Sequence, residues 1–430
     1  MSKWQKVKLG ELYEVHNGLS KGREFFGSGY PFLTFSTVFN NWFLPKELDS
    51  LVQSSDKERE ACSIKKGDVF ITRTSETMNE LGMSSVALRD YPNATYNGFT
   101  KRLRPITDNV VPEYIGYYLR SPKFRGKFMA FSTMTTRASL ANGDLLGMEV
   151  ELPSKETQKR IAQILFRYDT LIENYQKQIK LLEEAVQRLY KEWFVDLHFP
   201  DYENTRIIDG VPEGWEKKKA QDFFSMSIGK TPPRAEKQWF THGTEGIPWV
   251  SISDMKDTTY ILRTSEGLTS EACNKFNVKI VKSGTVLLSF KLTVGRVSII
   301  AVDACTNEAI AHFYQNGDSW REYTLLYLRN YNYDSLGNTS GISKAVNSTI
   351  IKNMPFLMPS QQILSEFHDS IYHMFKSIES LNKQISYLTE ARDRLLPKLM
   401  SGEISVEAAQ SVTSGLGVRK EQTVSPQATD

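Results

Sequence analysis

KQIKLLEEA at residues 177–185 returns as KQISYLTEA at 383–391, 206 residues further on. Lys177, Gln178, Ile179, Leu182, Glu184 and Ala185 recur unchanged as Lys383, Gln384, Ile385, Leu388, Glu390 and Ala391. Each copy lies in a run free of glycine and proline, 154–199 and 360–396. Each run follows a Pro-Ser pair, and a serine hydroxyl there can accept from an orphan N–H of the first helical turn. In the first run Ile161, Leu165, Tyr168, Ile172, Tyr175, Ile179, Leu182, Val186, Leu189 and Trp193 step alternately by four and three. In the second, Phe367, Ile371, Met374, Ile378, Leu381, Ile385 and Leu388 do the same, followed after Arg392 by Leu395 and Leu399. Only Arg392 breaks the seam, and Pro397 is expected to end the helix. A heptad seam this long predicts coiled-coil helices, each about 60 Å long at ~1.5 Å per residue. The long connection between them favours an antiparallel pair, although periodicity alone leaves the direction open.

The repetition extends beyond the helices. Trp4-Gln-Lys-Val-Lys faces Trp215-Glu-Lys-Lys-Lys, YPFLTFSTV (30–38) faces IPWVSISDM (247–255), and IKKGDVFIT (64–72) faces VKSGTVLLS (281–289). TYNGF (95–99) faces CTNEA (305–309), and YYLR (117–120) faces LYLR (326–329). Short apolar alternations such as VFIT (69–72), TVLLSF (285–290) and VSIIAV (297–302) read as strands, and a helical stretch precedes each long helix. The expected fold is therefore α+β: two mixed α/β domains in tandem repeat, separated by two long helices forming an antiparallel coiled coil with pseudo-twofold symmetry. The segments are a first domain (1–152), a long helix (153–199), a polar linker (200–214), a second domain (215–357), a second long helix (358–400) and a tail (401–430). The tail has little to bury from about 413 onward and is expected to be disordered there.

Composition excludes more than it assigns. A chain of 430 residues with a formal charge of +3 permits nucleic-acid binding without demanding it. Cys62, Cys273 and Cys305 are far apart in sequence, which fits a reducing cytoplasm and makes no zinc motif. No apolar run has the ~18 residues of a membrane span. Gly229-Lys230-Thr231 lacks the second glycine of a phosphate loop, Phe224 standing in its place. His368 and His373 are five apart on a helix and make a poor metal pair. Asp201 with Glu216, Lys217 and Lys218 imitates a metal nuclease, a reading that cleavage lost in Asp201→Ala would favour. No arrangement supplies a nucleophile, a base and an oxyanion site. The chain reads as a recognition part, with a nuclease or a purely protein-binding coiled-coil adaptor as the competing classes.

Recognition candidates are the basic and hydroxyl residues in loops beside the repeated strands, since Arg and Lys attract phosphate and Arg can bind a guanine edge through two hydrogen bonds. In the first half they are Lys21, Arg23, Thr72, Arg73, Thr74, Ser75, Lys101, Arg102, Arg104 and Arg137. In the second they are Lys230, Arg234, Lys237, Ser289, Lys291, Arg296 and Lys344. Arg73 and Lys291 share a place just past matching strands.

Several longer segments carry a family resemblance. LYKEWFVDLHFPDYE (189–203) with VPEGWE (211–216), LLPKLMSGEISVE (395–407), the helix starts LPSKETQKRIAQIL and MPSQQILSEF, and GKTPPR followed by GIPWVSISDM together resemble the specificity subunits of type I restriction–modification systems. The resemblance covers about residues 4–407. It implies a non-catalytic, cytoplasmic, DNA-binding subunit whose two domains each read one half of a bipartite, asymmetric duplex target. It implies that the coiled coil sets the gap and docks two modification subunits, with restriction subunits joining through the complex. S-adenosylmethionine, ATP and Mg would belong to those partners, and this chain would hold no metal or cofactor. Seven residues inserted into each helix would lengthen the unread gap by about three base pairs, ~10.5 Å against ~3.4 Å per pair. The first half, NGLSKGREFFGSGYPFLTFSTVF, departs from the family pattern in lacking a Gly-x-Thr-Pro start.

Overall fold

The computed structural model describes residues 4–75, 81–131, 138–139, 141–242, 245–336 and 346–413. The chain divides into two units, Met1–Leu171 with Leu388–Asp430, and Ile172–Tyr387. Each unit thus holds one α/β domain with half of each long helix.

In the first unit the principal sheet runs Tyr13–Asn17, Thr100–Pro105, Val69–Thr72, Ser84–Val86, every neighbour antiparallel. A second sheet pairs Phe26–Leu33 antiparallel with Ser50–Val52 and parallel with Thr95–Tyr96. In the second unit the principal sheet runs Ser225–Ile228, Ile310–Tyr314, Val286–Ser289, Val297–Ile300, with Tyr260–Ile261 added in parallel. Its second sheet pairs Ile247–Val250 antiparallel with Glu266–Leu268 and parallel with Cys305–Thr306.

The matched words of the sequence occupy matched places. Phe32 pairs with Thr95 in one unit and Trp249 with Cys305 in the other, as the alignment of these segments requires. Gly67 and Gly284 turn into the central strand at φ +90° and +88°, a conformation that costs a side-chain-bearing residue strain. Their amides bond Ala87 O and Ile300 O, both at 2.8 Å. The preceding helices, Pro112–Arg120 and Arg321–Asn330, dock through repeated tyrosines. Tyr114 and Tyr323 donate to Glu151 O and Leu357 O, while Tyr118 and Tyr327 accept from the amides of those same two residues. Arg120 donates to the carbonyls of Ser84, Val38, Phe39 and Asn41, and Arg329 to that of Val297, tying each helix to its sheet.

The long helices span Lys155–Tyr190 and Gln361–Ser401. Ser154 and Ser360 accept from Thr157 N and Ile363 N at their starts. In the first unit Asp169 meets Arg392 of the second long helix and the earlier Arg160 meets Glu407 just beyond its end, so the two segments run oppositely there. In the second unit Trp193 packs on Phe367, while the earlier Val186 faces the later Phe375 and Ile378, again antiparallel. Ile161, Leu165, Phe367, Ile371, Ile378 and Leu388 are buried. Ile172, Ile179, Leu182, Leu189, Ile385 and Leu395 are half-buried. The buried face is wider than a two-helix seam, because each half-helix also packs on its own domain through residues such as Ile164, Tyr190, Phe194 and Phe375.

Two details differ from expectation. Pro397 does not end the second helix, which continues to Ser401. Leu399 and Met400, 1% and 0% exposed, hold the last turn against the core and outweigh the missing backbone bond. After Arg392 the contact also shifts from Leu395 to Leu396, 4% exposed. The linker contains a hairpin, Ile207–Ile208 with Val211–Pro212, turned by Asp209 and Gly210 at positive φ. Val406–Thr413 forms a further helix, and the tail beyond it lies outside the described residues.

Candidate nucleic-acid interface

Three loops gather at one edge of each domain. In the second unit they are 229–234 after the strand Ser225–Ile228, 290–296 after Val286–Ser289, and 307–309 after Cys305–Thr306. Backbone bonds join them: Gly229 N to Ile310 O, Lys230 N to Thr306 O, and Phe290 N to Ala309 O. Asn307 shapes the last loop, its side chain accepting from Ala309 N at 3.0 Å. The first unit repeats this with Leu19 N to Tyr96 O, Arg73 N to Phe99 O, and Asn97 accepting from Phe99 N at 2.7 Å.

The glycine that opens the first loop is fixed by close approach. A Cβ on Gly229 would lie 2.1 Å from Asn307 O, and one on Gly18 would lie 2.3 Å from Asn97 O. Gly18-Leu19-Ser20 therefore stands where Gly229-Lys230-Thr231 stands. The first half keeps a Gly-x-Ser form of the loop start, and Arg23 falls opposite Arg234. The glycine followed by a hydroxyl residue was the available signal, hidden by the missing prolines.

The hairpin loop is locked at its neck by a hydroxyl. Ser289 donates to Thr293 O and accepts from Arg296 N; Thr72 accepts from Met83 N. Both hydroxyl residues are wholly buried. Beyond the neck Lys291 is exposed, and Leu292 is 98% exposed at φ +61°.

The geometry places the other sequence candidates as follows. Thr72 and Ser289 hold loops and face inward. Arg102, 2% exposed, donates to Ala61 O and Ser63 O and lies over Tyr96. Lys101 is buried against Asn142, and burial together with the Arg73 charge lowers its pKa. Arg104 is paired with the buried Asp68, and Arg296 donates to Ile252 O. Lys21 bonds Gln53 O and Glu58. Arg234 grips Glu266 through two bonds of 2.9 and 2.8 Å and lies over Phe240 and Trp249, which holds the Glu266 carboxyl below its ordinary pKa. Arg73 is half-buried, and its repeat partner is the buried Phe290 rather than Lys291. Thr74 and Ser75 lie in a short strand paired with Ala138–Ser139. Arg137 and Lys344 lie outside the described residues.

Among the described candidates the exposed cations are Arg23, Lys230, Lys237, Lys291 and the Glu266-paired Arg234. Beside them the first unit exposes Phe99 (58%) and the second Leu292. This edge offers positive charge for phosphates and apolar tips for groove contacts, the two kinds of contact that position and specify a duplex.

The nuclease-like fragment does not form a site: Asp201 bonds Asn204 and Thr205, and Glu216 pairs with Lys218 on a strand. His368 pairs with the buried Glu322. Among the described residues no group of three His, Cys, Asp or Glu side chains is placed to hold a metal, and no helix is long and apolar enough to cross a membrane.

A family model described as the type I restriction modification DNA specificity domain matches residues 1–184 and again 212–387. The chain is 28% identical to the type I restriction enzyme MjaIX specificity subunit of Methanocaldococcus jannaschii, covering 94% of both chains. It is 24% identical to the HindI specificity subunit of Haemophilus influenzae, over 94% of this chain and 100% of that one. A crystal structure of a type I restriction–modification S subunit from M. genitalium shares the fold, with a TM-score of 0.54 and 14% identity over 92% of this chain and 96% of the other.

Proposed function

Because the chain belongs to the family of type I restriction modification DNA specificity domains, and is a specificity subunit with two such domains in tandem, we propose that each three-loop edge reads one half of a bipartite, asymmetric duplex site. The observation that carries this reading is the repeated edge itself. Its main backbone bonds recur between the units, Leu19 N to Tyr96 O as Lys230 N to Thr306 O and Arg73 N to Phe99 O as Phe290 N to Ala309 O, while several of its exposed side chains differ. Similar scaffolds would place two reading heads alike, and Phe99 against Lys230, Lys291 and Leu292 would let them read different bases.

In this reading the long helices are the spacer and the docking surface for two modification subunits, with restriction subunits joining through the complex. Methyl transfer with S-adenosylmethionine and ATP-driven cleavage with Mg belong to those partners, and this chain does no chemistry. Its place of work is the cytoplasm. Salt-sensitive DNA binding by the assembled complex would separate this function from that of a purely protein-binding adaptor.

The test is a base-modification map. The chain is co-expressed with its cognate modification subunit in a methylation-free host, and methyladenine is located by long-read sequencing. The expected result is a two-part motif with a fixed unread gap. A single continuous motif would overturn the two-headed reading, and a stable DNA-binding complex that methylates nothing would overturn the assignment of specificity to an active methylating complex.

A further inference from the structure

Five positions matched by the repeat form a cluster of rings and charges in the first unit, and in the second unit only the arginine of the five is kept. In the first unit the indole of Trp42 meets two guanidiniums, with Arg120 at 5.5 Å and Arg392 at 5.2 Å from its ring. Its ring also lies 5.5 Å from that of Tyr117. The Tyr117 hydroxyl and Arg392 both donate to Asp169, closing the cluster.

The second unit places other side chains at these positions. Trp42 O accepts from Val86 N, and Thr259 O accepts from Ile299 N at the same point of the matching strand, so Thr259 replaces the indole. In the YYLR and LYLR segments Leu326 replaces Tyr117, and Arg329 keeps the place of Arg120. The helical repeat of 206 residues puts Val186 opposite Arg392 and Phe375 opposite Asp169. All five of Val186, Thr259, Leu326, Arg329 and Phe375 line one cavity of about 450 Å³, with Glu183 beside them. The cavity thus lies where the first unit holds an indole and a phenol, with Phe375 taking up part of that space. Its volume is within the ~300–1,000 Å³ of small-molecule sites.

We propose that this cavity is a binding site for one planar aromatic group of indole size. Phe375, Leu326 and Val186 supply apolar walls. Arg329 supplies a guanidinium for the ring face, the contact its counterpart Arg120 makes to Trp42, and indole is the aromatic that attracts a cation most strongly. Thr259 donates to Glu183 and accepts from Arg329 at 3.0 Å, so the polar wall is held by the chain itself. Glu183 adds an acceptor, which favours a ring bearing an N–H or O–H over a bare hydrocarbon ring.

The probe is 5-fluoroindole, titrated into the full chain and followed by fluorine NMR. Saturable binding is expected, with affinity reduced at least tenfold in Leu326→Tyr and in Thr259→Trp, the two changes that restore the first unit's ring atoms. Leu326→Tyr leaves the Thr259–Glu183–Arg329 contacts in place and decides the matter if Thr259→Trp fails to fold. Fluorobenzene is expected to bind more weakly than the indole. Absence of saturable binding at millimolar probe, or equal affinity in a folded Leu326→Tyr protein, would overturn the proposal. Equal binding of fluorobenzene would remove Glu183 from it.

Discussion

His312 couples the fold of the second domain to pH. It stands on the strand Ile310–Tyr314, 1% exposed, with Nδ1 2.8 Å from Ser227 Oγ and Nε2 2.7 Å from Thr306 Oγ1. Burial, aided by the Lys279 charge, brings its pKa from 6.5 down to about 3. The folded imidazole stays neutral down to that pH, while the unfolded one takes up a proton below 6.5. Stability from this group is therefore complete above the unfolded value and is lost as pH falls toward the folded one. At pH 5 the loss is about 2 kcal/mol, since pH lies ~1.5 units below the unfolded value and each unit is worth ~1.36 kcal/mol. His312→Gln keeps a donor and an acceptor and removes the titration. Urea titrations at pH 7.5 and pH 5, read by hydrogen exchange of peptides covering 310–314, report the second unit specifically. Every other titrating group is common to both proteins and cancels in their difference. The wild-type advantage over His312→Gln should shrink by about 2 kcal/mol between the two pH values. A difference that stays constant, or widens toward acid, would refute the buried neutral imidazole.

His368 should behave with the opposite sign. Its hydrogen bond to the buried Glu322 raises its pKa, so its contribution is present below 6.5 and disappears as pH rises through the raised value. The stability cost of His368→Gln, measured by the same titrations, should be larger at pH 6 than at pH 9. Ser289→Ala strips a partner from two backbone groups at the neck of the hairpin loop and should cost about 1–3 kcal/mol in denaturant unfolding. Ser289→Thr, the residue used at the matching Thr72, should cost less. Lys230→Ala and Lys291→Ala should each weaken DNA binding by the assembled complex across all sequences and flatten its salt dependence by about one unit of slope. Arg102→Ala should lower stability and leave that slope unchanged, as its guanidinium is spent on carbonyls of its own domain.

The duplication was legible because it repeats at the level of words. Gly67 and Gly284, or Arg120 and Arg329, recur since each answers a backbone demand that both copies share: a positive φ, or a set of main-chain carbonyls to satisfy. The long helices were legible because a heptad needs only one chain's spacing to be seen. Their full packing was not, as the same helix face meets both a partner helix and a domain. A pattern search for one period cannot separate Ile164 and Tyr190 from the seam.

The proposed recognition edge was harder to read for a related reason. Positive side chains in sequence look alike whether they face solvent or carbonyls. Lys101, Arg102 and Arg104 lie on a strand between two others whose two faces are both covered, and charged residues there are buried or half-buried where partners are present. Here Asp68, Asn142 and the carbonyls of Ala61 and Ser63 are those partners, all distant in sequence. Lys291 and Leu292 face out because Ser289 and the Arg296 amide close the loop behind them, a contact between residues seven apart that no alternation predicts. What the repeat conserves is thus the machinery that presents the loops, and what it leaves free to differ is what the loops present. The same logic explains the Thr259 cavity, where both copies keep the arginine and the helix but only one keeps the rings.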